Sequence, residues 1–294
     1  MIMIIDSISN HIAPSRKFTM HPALLVQDLR VSLHGRALID GVSFTVDRGQ
    51  RLALLGASGS GKSLTAAALL GQLPASMSAS GQLQINGVDV TLSDRRTRRS
   101  GLTAIHQDPM SALNPLVRLG KQLEIPLRHA GLSGSAARKR ALELLASMGI
   151  EEAERTMESF SGELSGGQLQ RVCIALALAC RSSVLVADEP TTALDMVSQA
   201  KVLEALSLYS ESACSESVYP ESARSAAAGA MLFITHDLAV AAAFCHQALV
   251  LSSGRIVEEG SMESVVERPR HQYTKQLVEA AHLGFDSLRR RATA

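Results

Sequence analysis

One eight-residue stretch, Gly56-Ala57-Ser58-Gly59-Ser60-Gly61-Lys62-Ser63, constrains this chain more than any other. It fits G-x-x-x-x-G-K-S/T, a loop whose backbone N–H groups surround a run of phosphates while its lysine reaches the terminal ones. The loop works only between a buried strand and a helix. Arg51-Leu52-Ala53-Leu54-Leu55 supplies a short, continuous apolar run, the pattern of a strand covered on both faces, and Lys62 to Gly71 reads as the helix. A glycine turn with a chance lysine leaves both flanks unexplained. The chain is expected to be an α/β protein built on a parallel sheet.

Around that unit, two alternating stretches, Leu24 to Val31 and Ala37 to Val46, predict antiparallel strands, and Gly81 to Val90 a hairpin. Gly101 to Ile105 reads as a further strand. Helical spacing then takes over from Pro115 to Arg181, with helices at Leu116 to His129, Ala136 to Met148 and Leu169 to Cys180. Val184 to Ala187 is a buried strand. A helix from Val197 to Tyr209, a strand from Met231 to Thr235, a helix from Leu238 to Cys245 and two short strands around Gly254 follow, and Met262 to Ala281 is helical with a break at Pro269.

The domain reading places a loose tail at residues 1–22, where Met20 offers an alternative start. The nucleotide-binding domain occupies 23–270, with a helical subdomain at about 108–181, and a terminal helix and tail occupy 271–294. Ser210 to Gly229 is rich in Ser, Ala and Glu and cannot bury enough apolar surface to offset ordering, so it reads as an inserted surface loop.

Composition narrows the function classes. Net charge is +1 and aromatics make up 3% with no tryptophan, which argues against a nucleic-acid partner and against base-stacking platforms. The basic run Arg95-Arg96-Thr97-Arg98-Arg99 and the triplet Arg289-Arg290-Arg291 read as solvated surface. Cys173, Cys180, Cys214 and Cys245 form no C-x-x-C pair and read as reduced thiols. No apolar stretch approaches the roughly 20 residues a membrane helix needs, and Met1-Ile-Met-Ile-Ile5 is short for a signal core. The chain is expected to be soluble by itself, with any membrane role coming through a partner.

The chemistry gathers at a few further points. Val184-Leu-Val-Ala-Asp188-Glu189 ends an apolar strand in two acids. Asp188 is placed to hold Mg²⁺ through water, beside the Ser63 hydroxyl, and Glu189 to polarise an attacking water as general base. Leu164-Ser165-Gly166-Gly167-Gln168 opens a helix whose free N–H groups and dipole suit a phosphate.

That LSGGQ run, at its distance from the phosphate loop, resembles the signature of the ATP-binding-cassette (ABC) family, and the resemblance covers nearly the whole chain after residue 22. It implies a P-loop ABC ATPase fold, RecA-like, with an antiparallel β-subdomain and an inserted helical subdomain. It implies ATP and Mg²⁺ as cofactors, with nucleotide contacts at Gly56, Ala57, Ser58, Gly59, Ser60, Gly61, Lys62, Ser63 and Leu64. Gln107 resembles the Q-loop glutamine, which reaches the metal and the attacking water. Ala193-Leu194-Asp195 resembles the D-loop between two cassettes, and His236 the switch histidine on the γ-phosphate. Ser165, Gly166, Gly167 and Gln168 are implied to meet the ATP of a second ATP-binding subunit in a head-to-tail dimer. The chain departs from the family at Ser32-Leu33-His34, where an aromatic residue usually stacks on adenine.

Within cassettes, Gln107-Asp-Pro-Met-Ser-Ala-Leu-Asn-Pro115, Ala187-Asp-Glu-Pro-Thr-Thr192 and His271-Gln-Tyr-Thr-Lys275 resemble the peptide and nickel importers. The absence of cysteine after Cys245, with Ser63-Leu-Thr and Ala281-His282-Leu283, places the nickel-import D-type subunit ahead of the dipeptide and oligopeptide types. The implied partners are two transmembrane permease subunits, a second ATPase subunit and, indirectly, a solute-binding protein. The implied location is the cytoplasmic face of the inner membrane, as a peripheral protein. A non-transport cassette would carry a tandem repeat or a long coiled coil, and neither is present. A nucleotide kinase would leave LSGGQ and His236 without a role.

Overall fold

The computed structural model describes residues 21–94, 99–211 and 228–281. β1 (Leu24–Leu33) and β2 (Arg36–Val46) pair antiparallel around His34-Gly35, both in the left-handed region at φ 49° and 82°. Such a turn matches the twist of the strands it joins. β3 (Arg51–Leu55) runs into the phosphate loop and α1 (Lys62–Leu70) leaves it. β4 (Met77–Ile85) and β5 (Val88–Val90) complete a four-stranded sheet in the order β2-β1-β4-β5. The hairpin begins at Met77 rather than Gly81, because Met77, Ser78 and Ala79 already pair with Leu33, Ser32 and Val31.

β6 (Leu102–Ile105) leads to the helical part: α2 (Leu119–His129), α3 (Gly134–Ser147), α4 (Ala153–Glu158) and α5 (Gly166–Ala179). β7 (Val184–Asp188), α6 (Met196–Glu211), β8 (Ala230–Thr235), α7 (Leu238–Phe244), β9 (Gln247–Ser252), β10 (Arg255–Ser261) and α8 (Met262–Glu267) follow, and α9 occupies 272–281. The fold is α/β, with an antiparallel subdomain and a helical part, as the resemblance implied.

The second sheet has the order β10-β9-β3-β8-β7-β6, parallel except for β10. Its inner strands β3, β7 and β8 are continuous apolar runs because both faces are covered. Ala53, Leu55, Leu185, Ala187, Met231 and Phe233 enter one core with α2, α3, α5 and α7. The alternate residues Leu52, Leu54, Val184, Val186, Leu232 and Ile234 enter another with α1 and the antiparallel sheet.

Besides the hairpin start, four further features differ from expectation. α2 starts at Leu119, not Leu116: the Leu116 side chain is 86% exposed, and the Leu119 N–H is taken by the Ser159 carbonyl at 2.9 Å. α4 was not anticipated, since only Thr156 and Met157 are buried in its six residues, too few for a period to register. α6 continues through Glu211 into the stretch read as a loop from Ser210. The buried Ser210 hydroxyl donates to the Ser207 carbonyl, while the remainder, 212–227, lies outside the described residues. Residues 1–20 and 282–294, the latter holding the terminal arginines, lie outside them as well, as does Cys214.

Arg99 is the fourth correction. Only 6% exposed, it is no solvated charge: its guanidinium donates to the carbonyls of Ala68 and Leu69 and to that of Leu92 at 3.3 Å. The last carbonyls of a helix have no partner within it and favour a cation, so the end of α1 draws this arginine inward. Residues 95–98 of the basic run are outside the described set. Among the described residues no helix is long and apolar enough to cross a membrane.

Candidate active site

The sheet register brings the motifs to one edge. Leu55 of β3 is level with Thr235 of β8, Ile234 with Asp188 of β7, and Ala187 with Ile105 of β6. The phosphate loop, Glu189, His236 and Gln107 therefore all leave the carboxyl ends of neighbouring parallel strands, where open α/β sheets bind ligands. A cleft of about 750 Å³ there is lined by Ala57, Ser58, Gly59 and Gly61–Leu64 of the loop, with Leu38, Gln107, Glu189 and His236. Neither Leu33 nor His34 lines it; Leu38 and Leu64 supply its large apolar side chains.

Two glycines of the loop are required by space. A Cβ on Gly56 would lie 2.4 Å from the Leu251 carbonyl oxygen, and one on Gly61, at φ 110°, would lie 2.4 Å from Ile39 Cδ1. Gly61 caps α1 without a side-chain hydrogen bond, and no acid sits in the first turn. Its orphan N–H groups and positive dipole end suit an anion. The buried Lys62 ammonium donates to the carbonyls of Gly56 at 2.7 Å and Ala57 at 3.0 Å. Burial lowers its pKa, and the charges of Glu189 and Asp188 oppose that shift.

Asp188 is pushed the other way. Burial raises its carboxyl pKa above the ordinary value, joined by the charge of Glu189, while a hydrogen bond from Ser63, the Lys62 ammonium and, when protonated, His106 oppose the rise. Its Oδ1 is buried without a hydrogen-bond partner. An unmatched carboxylate oxygen next to a serine hydroxyl is the hard oxygen donor set that suits Mg²⁺.

Glu189 has a left-handed backbone, φ 52°, uncommon for a side chain of this size. Its N–H still donates to the Ile234 carbonyl at 2.9 Å, so the turn happens on the sheet edge and aims the carboxylate at β8. Oε1 accepts from the His236 backbone N–H at 3.0 Å and lies 2.7 Å from Nδ1; Oε2 accepts from the hydroxyls of Thr192 at 2.8 Å and Thr235 at 3.4 Å. A carboxylate only accepts, so Nδ1 carries the proton and Nε2 is left over. All four lone-pair positions of Glu189 face a donor.

Ser165 to Gln168 do not line this cleft. They form a capping box: the Gln168 N–H donates to Ser165 Oγ at 3.3 Å, and the Ser165 N–H to Gln168 Oε1 at 3.0 Å. The buried Gln170 Nε2, in the same helix, donates to the Pro190 carbonyl at 3.2 Å, which ties α5 to the segment after Glu189. Thr192, Thr235, Gln170 and Tyr273 were not singled out for the site by the sequence reading. The S-x-x-Q spacing of Ser165 and Gln168 is the sequence signal for their capping box, which ties up N–H groups that the sequence reading left free.

Residues 39–192 match the family model described as ABC transporter. The chain belongs to that family. It is 43% identical over 275 residues to the peptidoglycan transport ATP-binding protein YejF of Agrobacterium fabrum, covering 90% of this chain and 48% of the relative. The chain thus spans about half the length of that protein. The oligopeptide transport ATP-binding protein OppD of Bacillus subtilis is 39% identical, with 85% and 69% covered, and the dipeptide transport ATP-binding protein DppD of Lactococcus lactis 38%, with 87% and 73%. Among solved structures, an ATP-binding subunit of an ABC transporter superposes on this cassette with a TM-score of 0.69 at 25% identity, covering 88% of this chain and 99% of the other. A dimeric ATP-binding cassette in a post-hydrolysis state bound to ADP and Pi gives 0.64 at 26%, covering 81% and 98%.

Proposed function

We propose that this ABC cassette hydrolyses ATP as one half of a head-to-tail dimer and drives peptide uptake through two transmembrane permeases, at the cytoplasmic face of the membrane. The observation that carries the reading is the meeting of the phosphate loop, Gln107, Glu189 and His236 on one cleft while Ser165–Gln168 open elsewhere. Loop N–H groups and Lys62 hold the β- and γ-phosphates. Ser63, Asp188 and Gln107 would hold Mg²⁺, which, when bound, supplies positive charge to the phosphate oxygens. Glu189 polarises the attacking water. In the free cassette its oxygens are occupied, and drawing the exposed His236 ring onto a terminal phosphate returns a lone pair of Oε1 to that water. Ser165, Gly166, Gly167 and Gln168 face the partner's nucleotide, so closure depends on ATP.

The permease contact is assigned to the groove of about 600 Å³ between α2 and α5, lined by Val117, Ile125 and Leu176, beside the exposed Leu116. The names of the oligopeptide and dipeptide relatives support peptide cargo over the nickel or metal chelate that the sequence resemblance placed first, and a solute-binding protein would deliver that cargo. A deletion strain tests this: di- and oligopeptide uptake falls to background while nickel uptake is kept. Lost nickel uptake with normal peptide uptake would return the cargo to the metal class.

A further inference from the structure

The Ala57 N–H in the phosphate loop donates to the hydroxyl of Tyr273, 2.6 Å away and 216 residues along the chain. Tyr273 belongs to α9, outside the sheet that presents the loop. The start of α9 is itself pinned: the Glu258 carboxylate of β10 accepts the N–H groups of Arg270 at 2.8 Å and His271 at 2.9 Å. Against the burial that would raise it, the Thr274 hydroxyl, then these two N–H groups and the Arg270 charge, hold the Glu258 pKa down. One turn and two turns beyond Tyr273, Leu277 and Ala281 pack with it on the main core, and Val278 is buried. Tyr273 Oη is therefore held at a fixed point by packing below and a cap above.

The atom it meets matters. Ala57 follows Gly56, which is wedged under the Leu251 carbonyl, and its own carbonyl accepts from Lys62 Nζ. The peptide planes on either side of Ala57 thus connect three things: the tyrosine, the strand end and the phosphate lysine. Ala57, Ser58 and Gly59 are exposed, so little packing fixes their backbone. A glycine-rich loop loses much freedom on ordering, and a fixed acceptor at its first bend restricts it beforehand.

We infer that Tyr273 is a positioning residue for nucleotide binding: α9 acts as a strut, anchored by Glu258, whose phenol holds the entrance of the phosphate loop in its binding shape. The inference rests on the nucleotide-binding reading of that loop. Tyr273 touches neither Glu189 nor His236 in the contacts described above, so the effect falls on affinity and KM rather than on the hydrolytic step.

Tyr273→Phe in the full chain removes the hydroxyl and keeps the ring. The expected result is a two- to tenfold weaker affinity for MgATP, about the worth of one hydrogen bond, with KM raised to match and kcat unchanged. Hydrogen exchange without nucleotide should quicken at Ala57 to Gly59 and nowhere in β3 or α1. Glu258→Gln, which weakens the anchor, should move both readouts in the same direction by less. Unchanged exchange at Ala57 in Tyr273→Phe overturns the strut whether or not nucleotide binds. Unchanged affinity overturns it too, as does faster exchange spread across the core, which would make Tyr273 a packing residue only. Wild-type protein that fails to bind MgATP would sink the nucleotide reading instead, and the exchange experiment would still decide the strut.

Discussion

Helices α1 and α5 both start from glycine-bearing turns, yet their first N–H groups meet different fates. At α1 no side chain caps the end and no acid enters the first turn; the glycines of the loop keep side chains out of the way. At α5, Ser165 and Gln168 satisfy each other's backbone, and Gln170 and Arg171 brace the helix against Pro190 and against the carbonyls of Met148 and Gly149. A bare helix end needs an anion to complete it, whereas a self-capped end keeps its shape alone. On the proposed function the first serves a nucleotide in its own chain and the second waits for one brought by another subunit.

The largest test of that contrast is Glu189→Gln. Hydrolysis should fall by about 10²–10⁴-fold, with ATP binding kept and ATP-bound dimers accumulating. Normal turnover would remove Glu189 as the base and leave the α1 side of the comparison without its chemistry.

Next come two substitutions, one at each helix start. Lys62→Ala should weaken ATP binding to the isolated chain by about 1.5–3 kcal/mol, the loss of a charged hydrogen-bonding group. Ser165→Arg should leave that affinity alone and abolish ATP-dependent dimerisation, read by sedimentation. If both variants lose single-chain affinity equally, the two ends do not divide the work.

The smallest effect is on stability. Burial raises the Asp188 pKa in the fold. A group so raised contributes stability below its unfolded pKa and loses it as pH climbs through the folded one. Near pH 7 the carboxylate is charged at a cost, so Asp188→Asn without nucleotide should melt above wild type. The gap should close as the pH falls toward the ordinary carboxylate range, about 4. A gap that ignores pH would mean that charge is not its source.

Legibility in the sequence followed the strength of local rules. β3 and α1 were readable because an apolar run, a glycine loop and a lysine demand one another. β7 and β8 were readable because double-sided burial leaves uninterrupted apolar runs. α4 was not, having too few residues for a period, and neither was the burial of Arg99, whose neighbours in sequence are charged while its partners are the carbonyls that end α1. Within the site, Glu189 and His236 were named separately; their direct contact depends on β7 and β8 lying side by side, which no local pattern states. Tyr273 was read only as part of a family resemblance, because its partner lies 216 residues away.

The central sheet divides its side chains strictly between two cores: Ala53 and Leu55 to one, Leu52 and Leu54 to the other. Deleting one residue inside β3 would exchange these sets, pressing leucines where an alanine sits and hollowing the opposite side at once. Length changes can accumulate in the connections at the sheet's rim while the strands themselves stay fixed in length. The frame that carries the chemistry can therefore vary in its attachments far more readily than in its spacing.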